Sequence, residues 1–110
     1  MNIIDYMTIG GKNLITEYLD DLPKKEQLKA YQIRQKIMDE GLVALKYLDT
    51  RQLRGKLWEI KFFSNRILYV VHDGTAVYFL HVCQKQKNRA EIIDIEKALR
   101  RAREFGLKIE

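Results

Sequence analysis

The 110-residue chain carries a net charge of +5, with 46% hydrophobic and 32% charged residues, which fits one domain over 1–110 built on one core. No run approaches the roughly 20 apolar residues of a membrane helix, and "MNIIDYMTIGG" has no basic-then-apolar leader, so neither a span nor a signal peptide is expected. The single cysteine, Cys83, excludes an internal disulfide and suits a reducing cytoplasm, while the basic excess fits nucleic acid or an acidic protein without choosing between them.

In chain order, "NIIDYM" reads as a short first strand. "GKNLITEYLDDL" has Leu14, Ile15, Tyr18 and Leu19 at helical spacing. Pro23 breaks that helix and opens the next. "KKEQLKAYQIRQKIMDEG" is a long amphipathic helix with Leu28, Ala30, Tyr31, Ile33, Ile37 and Met38 in its apolar stripe, stopped by Gly41. "LVALKYL" adds a turn or two of helix. From residue 51 the period changes to two. "KLWEIKFF", "RILYVVH" and "TAVYFLHVCQK" are rich in aromatic and β-branched residues, as strands are. Asp73-Gly74 is a strong hairpin signal and Ser64-Asn65 a weaker one. "EIIDIEKALRRAREFG" is again helical, with Ile92, Ile95, Leu99 and Ala102 recurring until Gly106. The class is α+β: a small antiparallel hairpin meander, with an N-terminal helical hairpin on one face and a C-terminal helix. One sheet face is then expected to stay open.

Two-residue turns would set Phe63 opposite Arg66, Lys61 opposite Leu68, Leu68 opposite Phe79 and Arg66 opposite His81. One face then collects Trp58, Ile60, Phe62, Ile67, Tyr69, Val71, Tyr78, Leu80 and Val82. The other carries Glu59, Lys61, Arg66, His81, Cys83 and Lys85 among Phe63, Leu68, Val70 and Phe79. A basic, aromatic-floored platform of this kind suits phosphates and stacked bases. Arg66 is the strongest candidate, because its planar fork matches a pair of phosphate oxygens. Ordinary readings compete: Glu59 pairing with Lys61 or Lys56, His81 as a half-buried strand residue, Cys83 as a small residue at the core edge.

The missing chemistry narrows the field. Ser64 is the only serine and sits in an expected turn, which disfavours a Ser-His-Asp hydrolase. Two histidines and one cysteine fall short of a standard zinc site, and "IGGKN" lacks phosphate-loop spacing, so no metal or other cofactor is expected.

"LRGKLWEIKF", "NRILYVVHDGTAVYFLHVCQKQKN" and "EIIDIEKALRRAREF", with "YLDDLPKKEQLKAYQI" before them, resemble the RelE/HigB superfamily of toxin–antitoxin toxins, in particular its phage Gp49-like HigB branch. The resemblance implies a compact RelE-like toxin that cleaves mRNA, usually on the translating ribosome, and is neutralised by a HigA-like antitoxin of helix-turn-helix type. It implies cleavage by attack of the ribose 2′-hydroxyl on the adjacent phosphate. That reaction needs a proton acceptor, a charge stabiliser and a proton donor. Carried over by position, Lys61, Arg66 and Lys85 match basic positions of the family. Glu59 stands where some relatives have lysine and is a possible base. The family's frequent C-terminal tyrosine has no counterpart, since Tyr78 is the last, leaving His81 and Lys87 as candidate acids. Arg54, Lys56, Lys87 and Phe63 are the expected RNA contacts. The alternatives are an RNA- or ribosome-binding module without catalysis, and a basic face that only receives an acidic antitoxin segment.

Overall fold

A computed structural model describes residues 1–84 and 91–110. The elements run β1 (Asn2–Asp5), α1 (Leu14–Asp20), α2 (Lys24–Glu40), α3 (Leu42–Leu45), β2 (Thr50–Arg54), β3 (Leu57–Phe62), β4 (Asn65–His72), β5 (Ala76–Gln84) and α4 (Ile92–Glu104). Local chemistry fixes the helix ends. The Asn13 side-chain oxygen accepts from the amides of Ile15 and Thr16 at 3.0 and 2.9 Å, capping α1. Gly41, at φ 67°, ends α2 in the left-handed region that glycine enters without a Cβ penalty.

The sheet order is β1-β5-β4-β3-β2, with β1 parallel to β5 and the other pairs antiparallel. One face packs against the first three helices. Ile15, Leu19, Ile33 and Ile37 meet Ile60, Phe62, Ile67, Tyr69, Phe79 and Val82 there. The second face is not open. Ala98 and Ala102 of α4 lie on Leu57, Leu68, Val70 and Leu80. Each fully buried leucine in this layer contributes roughly 1.5–3 kcal/mol, and leaving the four strand residues wet would forfeit that. An open platform is therefore corrected to a covered one.

The register also differs. Phe62 opposes Asn65 and Lys61 opposes Arg66, so the β3–β4 turn is Phe63-Ser64. Asn65, expected in the turn, is instead buried in β4, where it accepts from the Tyr18 hydroxyl and donates to Glu26. The β4–β5 loop has three residues, because His72 opposes Ala76. Between Tyr69↔Phe79 and Leu68↔His81, β5 carries one extra residue, Leu80, a β-bulge. Phe79 therefore points to the α1–α2 side, while Tyr78 and Leu80 point to α4. The α2 stripe is narrower than expected: Ala30, Ile33 and Ile37 are buried, but Leu28, Tyr31 and Met38 are exposed.

Past α4 the chain returns to the β2–β3 hairpin, where Lys56 N–H donates to the Ile109 carbonyl. Gly55 sits at φ 54°, and a Cβ on it would run into that same carbonyl. Gly55→Ala is expected to cost about 1–3 kcal/mol in urea unfolding, from strain plus the displaced tail. Gly11→Ala, at φ 87° with open space around it, bears only the left-handed penalty of about 1–2 kcal/mol. Equal effects would show that the tail contact does not matter.

Candidate functional site

On the α4 side, charge is concentrated along β2, β3 and β4. Arg51 faces Glu59 across one strand pair, and Lys61 faces Arg66 directly across the next. Glu59 lies between two guanidiniums: its Oε1 is 3.3 Å from Arg66 Nη1, and its Oε2 is 3.3 Å from Arg51 Nε. The side chains of Glu59 and Arg66 are 0% and 1% exposed, that of Arg51 41%. Two charges without water survive only because each offsets the desolvation of the other. Among the described residues, Arg66 Nε and Nη2 have no hydrogen-bond partner. Arg66 is thus a buried cation with donors to spare, not the surface group expected from the strand pattern. Glu59 is equally enclosed: its Oε1 accepts from Arg66, while Oε2 lies near Arg51 Nε without a hydrogen bond.

A second cluster joins β5 to α4. His81 Nε2 is 2.7 Å from Asp94 Oδ1, and Arg101 Nη1 lies 2.9 Å from the Leu80 carbonyl and 3.3 Å from His81 Nδ1. Arginine only donates, so Nδ1 must accept and the ring proton sits on Nε2, facing Asp94. Burial pushes the His81 pKa down, opposed by Asp94 and assisted by Arg101 and Lys97. Both ring nitrogens are occupied, which leaves His81 a poor proton donor to a substrate. Cys83, directly opposite Arg66, has its thiol pushed up to about 12, first by burial and then by Asp94. It remains protonated at neutral pH.

His81, Cys83 and Asp94 bring three potential metal donors within 4.8 Å of one another, a convergence that residue counts did not suggest. The residues do not fit a metal well. An ion on Nε2 would move the ring proton to Nδ1, where the Arg101 N–H already points.

The other expected site residues are dispersed. Phe63 is exposed at the β3–β4 turn, near Lys61, which is half-buried. Arg54 and Lys56 are exposed at the far end of β3, about 17 Å from Lys61 at 3.3 Å per strand residue. Lys85 and Lys87 fall outside the described residues. Arg51, Asp94 and Arg101 were missed. Asp94 carried a legible signal, an acid in the first turn of a helix. Arg51 and Arg101 looked like any other cations in basic stretches.

Two outcomes follow. Glu59→Ala should destabilise by about 3–5 kcal/mol, because it strands a buried guanidinium, whereas the double change Glu59→Leu with Arg66→Met should cost much less. Denaturant titrations compare them, and equal costs would mean that the pair is not coupled. The depressed His81 pKa means that unfolded chains take up the proton first as pH drops below 6.5. The stability His81 supplies is then complete above that value and is lost as pH falls toward the folded pKa. Between about pH 7 and pH 5 the wild-type unfolding midpoint should fall more steeply than that of His81→Asn. Parallel slopes would refute this.

Residues 17–103 match the family model described as Phage derived protein Gp49-like (DUF891). The match runs from within α1 almost to the end of α4, and it takes in Glu59, Lys61, Arg66, His81, Asp94 and Arg101. No protein of curated function matches the chain. With most of its length inside that match, the chain belongs to the phage-derived Gp49-like family, a HigB/RelE-like family of toxins.

Proposed function

We propose that the protein is the toxin of a toxin–antitoxin pair, an endoribonuclease acting on mRNA at the ribosome, with a HigA-like antitoxin as its partner. The observation that carries this reading is the direct opposition of Lys61 and Arg66, with two Arg66 nitrogens, Nε and Nη2, lacking a partner among the described residues. A phosphate with two free oxygens would match that fork once Arg66, 1% exposed here, is uncovered. In the reaction the 2′-hydroxyl loses its proton and bonds to phosphorus, and the bond to the 5′-oxygen breaks as that oxygen is protonated. Lys61 and Arg66 would stabilise the extra negative charge of the phosphorane, an effect worth about 10²–10³-fold per well-placed group. Phe63 supports the reading independently. It is a bulky residue at φ 51° in a two-residue turn, where glycine is usual, and the residue is 59% exposed. Strain of that kind at an exposed tip is consistent with a base-stacking role.

A second reading has its own support. Glu59, Arg66 and His81 are all enclosed or fully hydrogen-bonded, as in a binding module whose RNA contacts are limited to exposed groups such as Phe63. Primer extension on translated mRNA separates the two. The nuclease reading expects new RNA ends with wild type and at least about 10²-fold fewer with Lys61→Ala. It also expects a clear loss with Arg66→Lys, which keeps the charge but not the fork. A binder gives occupancy without new ends and tolerates Arg66→Lys. Circular dichroism of each variant excludes unfolding as the cause. Phe63→Gly should weaken RNA cleavage while leaving stability unchanged or raised by up to about 1 kcal/mol, since it removes left-handed strain. A loss of stability with full activity would remove Phe63 from the site.

A further inference from the structure

The outward side of α2 carries an apolar seam that no part of the described fold covers. Leu28, Tyr31 and Met38 are 61%, 37% and 41% exposed. With exposed Gln35 they run 28, 31, 35, 38, steps of three, four and three that keep one stripe of a helix facing one way. Ala30, Ile33 and Ile37 hold a different stripe against the sheet, so α2 is apolar on two sides. Packing inside one domain needs a single such stripe, and a second, exposed one marks an interaction face.

The flanks of the seam say what fits it. On one flank Gln27 donates to the Asp20 carbonyl and Arg34 forks onto Asp5, so both are spent inside the fold. On the other flank Lys25, Gln32 and Asp39 stand exposed in one row. Among the described residues neither Lys25 nor Asp39 has an ion-pair partner. That row is basic at its start and acidic at its end. Turned end for end beside itself, it sets each Lys25 against an Asp39. The same reversal, centred on residue 33, sets Leu28 against Met38 and Tyr31 against Gln35.

We propose that two copies of the chain pair antiparallel through α2, about a twofold axis near the middle of the helix. A twofold contact must be self-complementary, and this seam is, in its apolar layers and in its charges. Gln35 in the stripe costs some stability and fixes the register, as a polar seam residue does. The 17 residues of α2 span about 25 Å. The contact therefore buries less than about 1,200 Å², the range of weak and reversible complexes. Because α2 packs on the sheet face away from Lys61 and Arg66, pairing leaves that side uncovered and does not depend on the nuclease reading.

Sedimentation equilibrium of the whole chain from about 10 μM to 1 mM, where a weak complex changes occupancy, should show monomer passing to dimer. Leu28→Asp and Met38→Asp, both at exposed positions, should each weaken association by at least about tenfold, with circular dichroism confirming the fold. Lys25→Asp and Asp39→Lys should each weaken it by at least about threefold. An equimolar mixture of those two variants should recover it, since each copy then meets opposite charge at both ends. Lys29→Glu, off the seam but with the same change of charge as Lys25→Asp, should associate at least as well as wild type. A monomer throughout, or a dimer indifferent to Leu28→Asp, would overturn the proposal. A mixture of the charge variants that associates no better than either alone would overturn it as well. A monomer whose Leu28 and Met38 methyl signals shift only with an oligoribonucleotide, or only with a HigA-like antitoxin, would give the seam to that partner and likewise overturn self-pairing.

Discussion

Glu59 and Arg66 meet in the dry layer between the central strands and α4, and much else in the molecule is arranged around that contact. Neither charge tolerates the interior alone; together, with Arg51 bridging from β2 toward solvent, they give it a graded path from buried to wet. The attraction between such a pair barely exceeds the cost of removing it from water. Its value therefore lies in what it holds rather than in net stability. It fixes the Arg66 fork beside Lys61, with Nε and Nη2 unpartnered among the described residues.

The helix that covers this layer is fastened by polar contacts as well as by leucines. Asp94 near the start of α4 holds His81, and Arg101 further along bonds the carbonyl of the bulge residue Leu80. A bulge leaves a residue outside the regular ladder, and Arg101 supplies a partner for its carbonyl. Histidine, bulge and helix thus form one fastening, with His81 serving structure more than proton transfer. The far side of the sheet is more conventional, with three helices over an apolar face. It leaves an apolar groove and a strand edge where α3 stops short of β2.

How much of this was legible follows from parity. Lys61 and Arg66 were expected on one face although the turn was misplaced, because moving it changed the pairing by two residues and preserved facing. On β5 two errors cancelled. The three-residue loop inverts Val77 and Phe79, and the extra residue Leu80 restores His81 and Cys83 to the cation side. Neither device is written locally: Asp73-Gly74 suits loops of either length, and the bond to the bulge comes from Arg101, 21 residues on. The covered face was legible in principle. Leu57, Leu68, Val70 and Leu80 needed a lid, and α4 offered Ala98 and Ala102. Reading that face as open followed from weighing its charges above its leucines. The period of two was read from residue 51, but "TRQLR" has a single apolar residue, so β2 did not stand out as a separate edge strand.

The central claim is that Arg66 is an enclosed guanidinium held by Glu59. The most direct measurement is hydrogen exchange at arginine Nε–H by ¹⁵N spectroscopy, with Arg66 assigned through Arg66→Lys. The account predicts an Arg66 Nε–H that exchanges far more slowly than that of exposed arginines, and that loses its protection in Glu59→Gln. Exchange as fast as at a surface arginine, unaffected by Glu59→Gln, would contradict it.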